Sequence, residues 1–180
     1  AVADRVPPQA RESVEALRDA GIPHVVMLTG DNEAVARAVG ARVGIADVRH
    51  SLLPDETRGA VAALKAEGER VAVVGDGVND APALAAADVG IAMGAAGTQV
   101  ALETADIALM GDDLRQVAAT VRRSRRTLGI IRANIAFAIG IKAVFLALAL
   151  TGQATLWMAV AADTGASLLV VANGLRAMGR

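Results

Sequence analysis

The densest chemistry in this 180-residue sequence is the run Gly75-Asp76-Gly77-Val78-Asn79-Asp80, which follows the apolar stretch Val71-Ala72-Val73-Val74. Asp76 and Asp80 supply hard carboxylate oxygens suited to Mg²⁺, an ion that keeps several waters and needs few carboxylates. Gly75 and Gly77 let the backbone approach a phosphate closely. A second polar cluster, Thr29-Gly30-Asp31-Asn32, follows the apolar run His24-Val25-Val26-Met27-Leu28. Thr29 offers a hydroxyl, and the amides after it open a helix N-terminus, a seat for an anion. Together the clusters describe a Mg²⁺–phosphoryl site, where catalysis is mostly positioning and charge neutralisation. Alone, Thr-Gly-Asp-Asn also reads as a capped turn. A calcium loop fits the run GDGVNDAPAL poorly, because the bidentate Glu at its twelfth position is missing.

A third chemical pair stands in apolar surroundings. Ala133–Leu150 and Ala154–Leu175 are eighteen and twenty-two residues long and carry one charge each, Lys142 and Asp163. A helix needs about 20 residues to cross a hydrocarbon core, so both segments read as membrane spans joined by the tight turn Thr151-Gly152-Gln153. Lys142 lies ten residues before Gly152 and Asp163 eleven after it. At ~1.5 Å per residue both sit roughly 15 Å from the turn, at matched depth near the bilayer centre. An unpaired charge there costs ~2.5–3.5 kcal/mol or more, so the two are candidates for a transport site; the plainer reading is an ion pair that fixes hairpin register. Asp163-Thr164-Gly165 spells the aspartic-protease triplet, but those carboxylates face a twin from a loop, and this one is inside an apolar span.

These residues need elements to hold them. His24–Leu28, Val71–Val74, Val89–Met93 and Ile107–Met110 read as buried strands. Helical patterns cover Gln9–Ala20, Glu33–Val43, Asp55–Glu67 and Ala81–Ala86. The alternation predicts an α/β domain built on a parallel sheet covered on both faces, with its chemistry at the carboxyl ends of the strands. The expected division is residues 1–113 for this domain, 114–132 for a basic cytoplasmic connecting helix and 133–180 for the two membrane helices. Arg122, Arg123, Arg125, Arg126 and Arg132 before the first span, with Arg176 and Arg180 after the second, place both ends of the hairpin in the cytoplasm. No signal peptide opens the chain.

Composition excludes several classes. Net charge is −1, so a strongly basic nucleic-acid binder is not expected. Phe137, Phe145 and Trp157 are the only aromatics, too few for base stacking. The absence of cysteine removes disulfides, Cys-based zinc sites and thiol catalysis. His24 and His50 lack a ligand partner at helical spacing and read as surface or turn residues. A mean hydropathy of +0.44 averages over two regions. Residues 1–132 carry fifteen Lys+Arg against eighteen Asp+Glu, whereas 133–180 hold only Lys142, Arg176, Arg180 and Asp163.

Thr29-Gly30-Asp31-Asn32 and then GDGVNDAPALAAADVGIAMG from Gly75 to Gly94 resemble the second half of the phosphorylation domain of P-type ATPases. GTQVALETADIALM, running into a basic helix and a final hairpin, resembles the heavy-metal branch. Lys142 in the penultimate span with Asp163-Thr164-Gly165 in the last is similar to the zinc/cadmium/lead subgroup. The Tyr-Asn pair and Met/Ser-rich pattern of copper transporters are not found.

The resemblance implies a partial haloacid-dehalogenase-like Rossmannoid domain followed by a two-helix transmembrane hairpin, part of an ATP-driven efflux pump for Zn²⁺, Cd²⁺ or Pb²⁺. It implies that Asp76 binds Mg²⁺ with Asp80 in support, that Thr29 and Asn79 contact the phosphoryl group, and that Gly30 and Asp31 shape that loop. Asp163 would ligate the transported ion, with Lys142 as its counter-ion. ATP would be held mainly by an upstream domain, and the upstream half and membrane lipid would be the other partners, in a multi-pass plasma-membrane protein whose soluble part is cytoplasmic.

Two departures accompany it. The family's Asp-Lys-Thr-Gly-Thr and Cys-Pro-Cys motifs do not occur, and the chain starts without Met, so a C-terminal fragment that is inactive alone is expected. In addition, Pro54-Asp55-Glu56-Thr57 has Thr57 where the family's Pro-x-x-Lys has lysine; neighbouring Arg58 carries a forked guanidinium rather than a point-charge ammonium. A degenerate non-catalytic membrane protein of the same fold and a membrane-anchored phosphatase-like module remain the alternatives.

Overall fold

A computed structural model of the chain describes residues 9–75, 79–94, 103–111 and 113–177. The chain divides into two compact units, Ala1–Thr120 and Val121–Arg180. The first unit runs α1 (Ala10–Asp19), β1 (Val26–Leu28), α2 (Glu33–Val43), β2 (Asp47–Arg49), α3 (Pro54–Ala66), β3 (Ala72–Gly75), α4 (Ala81–Ala86), β4 (Val89–Met93) and β5 (Ile107–Leu109). Every strand pair is parallel. Among the described residues the strands form two sheets, β1-β2 and β3-β4-β5, rather than the expected one.

Local signals explain most boundaries. Asn32 caps α2 by accepting the Val35 amide at 3.0 Å, and Gly44, at φ 80°, ends the helix in the left-handed region. Pro54 opens α3, where a missing N–H leaves no bond unmade, and the Glu56 carboxylate accepts the Leu53 amide at 2.8 Å. β2 was not anticipated: Asp-Val-Arg has one apolar residue in three. It exists because β1 lends it a ladder, Met27 opposite Val48. β1 is also shorter than the apolar run, starting at Val26 rather than His24.

The buried residues Ile91, Leu109 and Val117 join Leu17, Met93 and Ile107 in one cluster, which fastens α1 to β4 and β5. Ala36, Val61 and Leu84 are fully enclosed in the helices that flank the strands. Arg18 adds a polar tie, donating to the Gly44 carbonyl at 2.6 Å.

The second unit is a helical hairpin. Its first helix belongs to α5 (Arg115–Leu150), 36 residues without a break. The expected connecting helix and first span are thus one rod, as a stretch without proline permits. Gly152, at φ 72°, makes the turn, and Thr155 caps α6 (Leu156–Leu175) by accepting the Met158 amide at 3.3 Å. This cap starts the second helix two residues later than the apolar run suggests. Both helices are long and apolar enough to cross a membrane. Phe137, Ile139, Leu146, Trp157 and Leu168 are among the large apolar side chains they expose. Such a surface is suited to lipid and other helices rather than to water.

Candidate functional site

Thr29 is the first residue past β1, and its backbone is pinned on both sides. Its amide donates to the Arg49 carbonyl at 3.0 Å, and its carbonyl accepts the Leu52 amide at 3.1 Å. The Thr29 hydroxyl oxygen accepts the Asp31 amide at 3.1 Å, closing the loop over Gly30. A Cβ on Gly30 would lie 3.2 Å from the Leu52 carbonyl oxygen, so the glycine lets the two loops touch. Ser51 completes the stitch: its amide donates to the Asp31 carbonyl at 2.8 Å from a left-handed backbone, φ 58°. That conformation is uncommon for a non-glycine residue. Nothing in the sequence singled out His50-Ser51-Leu52 as the brace of the Thr29 loop.

The second cluster follows β3. A Cβ on Gly75 would fall 2.5 Å from Asp80 Oδ2 and 2.8 Å from its Cβ. Asp80 is therefore packed against the carboxyl end of the strand in space only a glycine leaves. The Asp80 carbonyl accepts the Ala83 and Leu84 amides at 2.9 and 2.8 Å, starting α4, and Asn79 stands exposed beside it. Asp76 and Gly77 lie outside the described residues.

Two other carboxylates brace this region. Asp88 Oδ2 accepts the Val71 amide at 2.9 Å, and Asp88 Oδ1 lies 3.3 Å from Lys65 Nζ, which also donates to the Ala86 carbonyl at 2.9 Å. The Val71 amide foremost, and Lys65 with it, hold the Asp88 carboxyl below its ordinary range against a smaller opposing effect of desolvation. Asp106 accepts the Gly90 amide at 2.8 Å. Both are buttresses of the backbone, to which the sequence reading gives no role. Among the described residues no group of three or more His, Asp and Glu gathers as a metal cluster. His24 stands 3.4 Å from Asp47 as a half-exposed pair between the ends of β1 and β2.

In the hairpin, Lys142 Nζ lies 3.7 Å from Asp163 Oδ1, so the lone charges of the two apolar segments do meet. They are 71% and 63% exposed. Nearer the free ends of the hairpin is a polar contact that went unnoticed in the sequence. Asn173 Nδ2 donates to Asn134 Oδ1 at 2.7 Å, and Asn134 Nδ2 donates to the Val170 carbonyl at 3.3 Å. Two asparagines inside otherwise apolar spans were the signal that could have found it.

Comparison with known proteins adds to this geometry. A haloacid dehalogenase-like hydrolase family model matches residues 1–88. A probable cadmium-transporting ATPase of Alkalihalophilus pseudofirmus is 54% identical over 178 residues, 99% of this chain and 25% of that protein. The chain belongs to the P-type ATPase family. A cadmium, zinc and cobalt-transporting ATPase of Bacillus subtilis is 44% identical over 98% of the chain and 26% of its own length. The crystal structure of a zinc-transporting PIB-type ATPase in its E2.Pi state superposes with a TM-score of 0.89 at 44% identity, over 97% of this chain and 28% of that one. The chain thus spans about a quarter of the length of the curated relatives it matches. The α/β unit is haloacid-dehalogenase-like, the apolar hairpin follows it in the chain, and the protein is a membrane protein.

Proposed function

We propose that this chain is the portion of an ATP-driven Zn²⁺, Cd²⁺ or Pb²⁺ efflux pump that supplies half of the phosphoryl site and the last two membrane helices. The observation that carries the reading is the Lys142–Asp163 pair, 3.7 Å apart in a hairpin whose surroundings are otherwise apolar. A divalent ion and the Lys142 ammonium compete for the Asp163 carboxylate: with the ion bound the lysine is displaced, and after release it restores charge balance. Without that partner the carboxylate would stand uncompensated in low dielectric.

In the α/β unit, Thr29 and Asn79 contact the phosphoryl group, Gly30 and Asp31 shape the loop, and Asp76 with Asp80 holds Mg²⁺. The packing of Asp80 against Gly75 fits this role, since it sets a hard oxygen at the carboxyl end of β3. When bound, the ion neutralises charge on the transferring phosphoryl oxygens. The nucleophilic aspartate comes from outside these 180 residues. Among the described residues β1 and β3 share no ladder, and each forms the edge of its own sheet. A parallel strand carrying that aspartate from the upstream half would pair with both and place it between Thr29 and Asp80. ATP is bound mainly by that upstream half. The residue ranges 1–113, 114–132 and 133–180 then serve as phosphorylation half-domain, cytoplasmic connector and membrane hairpin. The arginines at both ends of the hairpin hold those ends in the cytoplasm of a multi-pass plasma-membrane protein.

The test is Asp163→Ala in the reconstituted full-length protein. Zinc-stimulated ATP hydrolysis is expected to disappear; undiminished stimulation would overturn the assignment. The isolated chain is expected to form no acid-stable phosphoprotein with radiolabelled ATP.

A further inference from the structure

The contact between Asn134 and Asn173 is part of a directional chain of hydrogen bonds. Arg176 Nη1 donates to Asn173 Oδ1 at 3.2 Å, Asn173 Nδ2 to Asn134 Oδ1 at 2.7 Å, and Asn134 Nδ2 to the Val170 carbonyl at 3.3 Å. A guanidinium has donors only. It therefore fixes the Asn173 amide with its oxygen toward Arg176, which turns the amino group toward Asn134. Asn134 must then accept with its oxygen and donate with its nitrogen. Neither amide can reverse without breaking two bonds. Gly174 leaves room beside it: a Cβ there would lie 4.0 Å from Asn134 Nδ2. These asparagines are half-buried in the seam between the helices, whereas many of the large apolar side chains of the hairpin are exposed.

The position of this clasp matters for the ion pair. Lys142 is eight residues after Asn134 on α5, and Asp163 is ten residues before Asn173 on α6. The rise is about 12 Å along one helix and about 15 Å along the other, so the ion pair lies at nearly equal distance from the clasp on both. At about 100° per residue, those steps rotate Lys142 by about 80° in one sense and Asp163 by about 80° in the other. On antiparallel helices the two rotations carry both side chains out of the seam toward the same flank. The large exposure of both groups agrees with this. A slip of one residue at the clasp would move the carboxylate about 1.5 Å along the axis and turn it about 100° around the helix.

We propose that Asn134 and Asn173 are positioning residues whose clasp sets the hairpin register and thereby presents Lys142 and Asp163 together on one flank. Burial of apolar surface gives no preference for one register, because lipid tails are as apolar as leucine; close packing and interhelical hydrogen bonds choose it, and the clasp is such a hydrogen-bonded contact between the two helices. The relevance of the register to transport rests on the proposed function, but the register itself can be measured without it.

The experiment uses the full 180-residue chain in phosphatidylcholine–phosphatidylglycerol vesicles treated with a membrane-permeant carbodiimide. The reagent activates the Asp163 carboxyl as an O-acylisourea. If the Lys142 amine is near, it displaces the urea and an amide bond joins the helices; if not, the adduct rearranges to an N-acylurea. Lys65 is the only other lysine, so peptide mapping by mass spectrometry is unambiguous. The ratio of amide to N-acylurea on Asp163 reports proximity independently of reagent access and of protein yield. In Asn134→Leu and Asn173→Leu it is expected to fall about three- to tenfold, the range interhelical hydrogen bonds account for. In Asn134→Gln, whose amide can still accept from Asn173 Nδ2 and donate to the Val170 carbonyl and which the carbodiimide does not touch, it is expected to stay near the unsubstituted value. An unchanged ratio in either leucine variant overturns the proposal, and so does an equal fall in Asn134→Gln. A full-length protein without zinc-stimulated hydrolysis would sink the pump reading and leave this ratio to decide the clasp by itself.

Discussion

The two units hold their polar residues by opposite means. In the α/β unit the backbone does the positioning. Thr29 is gripped through its own amide and carbonyl, and Asp80 is seated in the space left by a missing Cβ. In the hairpin the polar residues stand on ordinary helix, and side chains hold side chains: Lys142 to Asp163, Asn134 to Asn173. A site of the first kind fails through steric change at a residue without functional groups. One of the second kind fails through loss of a single polar group, or through a slip that moves none of the local backbone angles.

The largest effect that would break this contrast is at Gly75. Gly75→Ala puts a methyl group 2.5 Å from Asp80 Oδ2, so strand end or carboxylate must shift. Overpacking of this kind costs about 1–3 kcal/mol. A displacement near 1 Å at a phosphoryl site lowers turnover by about a hundredfold. The expected result in the full-length protein is therefore near-complete loss of ATP hydrolysis with a moderate fall in the unfolding midpoint. Gly59→Ala in α3 is the control, since no atom lies within 4 Å of its added Cβ. It should raise stability by about 0.5–1 kcal/mol, as replacement of a mid-helix glycine does. Equal behaviour of the two variants would remove the claim that Gly75 is held for space.

The degree to which the sequence disclosed each part follows the same division. Glu33–Val43 and Ala81–Ala86 were delimited correctly because their boundary signals are local: the Asn32 cap and Gly44 for the first, Pro82 in the first turn of the second. The strand β2 was missed because its three residues have no pattern of their own and depend on a ladder with β1. Thr29, Asp80, Lys142 and Asp163 could be picked out as candidates because polar residues stand out after or within apolar runs. Their supports were not. Ser51 braces Asp31 from twenty residues away, and Asp88 reaches back to Val71, through contacts that only folding creates. Acidic residues that buttress a loop and those that would bind an ion have the same letters, and only hydrogen bonding separates them. The pairing of Lys142 with Asp163 followed from depth arithmetic, but the asparagine clasp that sets this depth required the structure.

A smaller change sharpens the account of the phosphoryl side. Thr57 occupies the position where the family motif has lysine, and its hydroxyl merely donates to the Leu53 carbonyl one turn back, at 3.2 Å. That hydrogen bond serves only its own helix, and Thr57 is half-buried on α3. Thr57→Lys is expected to leave the unfolding midpoint nearly unchanged and to raise the rate of phosphoenzyme turnover in the full-length protein by about tenfold, a modest value for one added electrostatic contact in a preorganised site. No change in rate would favour the reading in which the fold is kept and catalysis is lost.

The smallest expected effect concerns pH and belongs to the α/β unit. Val71 and Lys65 hold the Asp88 carboxyl low, and Arg115, bonded through side chain and backbone, does the same for Asp113. A carboxyl whose folded value is depressed binds fewer protons in the folded than in the unfolded state. Its contribution is complete above the unfolded value of about 3.9 and is lost as pH falls through the folded one. The unit should therefore show stability that is flat near neutrality and declines below about pH 4. Asp88→Asn removes one proton-binding group from this limb but keeps an oxygen that can accept from Val71. The acid-unfolding midpoint, followed by circular dichroism of the chain in detergent, should move by about half a pH unit or less, with a shallower slope. A slope identical to that of the unsubstituted chain would mean that Asp88 titrates alike in both states and that its bonds to Val71 and Lys65 are not what braces the loop. The hairpin, whose helices carry Asp163 as their only carboxylate, offers no comparable pair of surface buttresses. The acid limb therefore distinguishes a unit held by many shared backbone contacts from one whose geometry depends on a clasp and an ion pair.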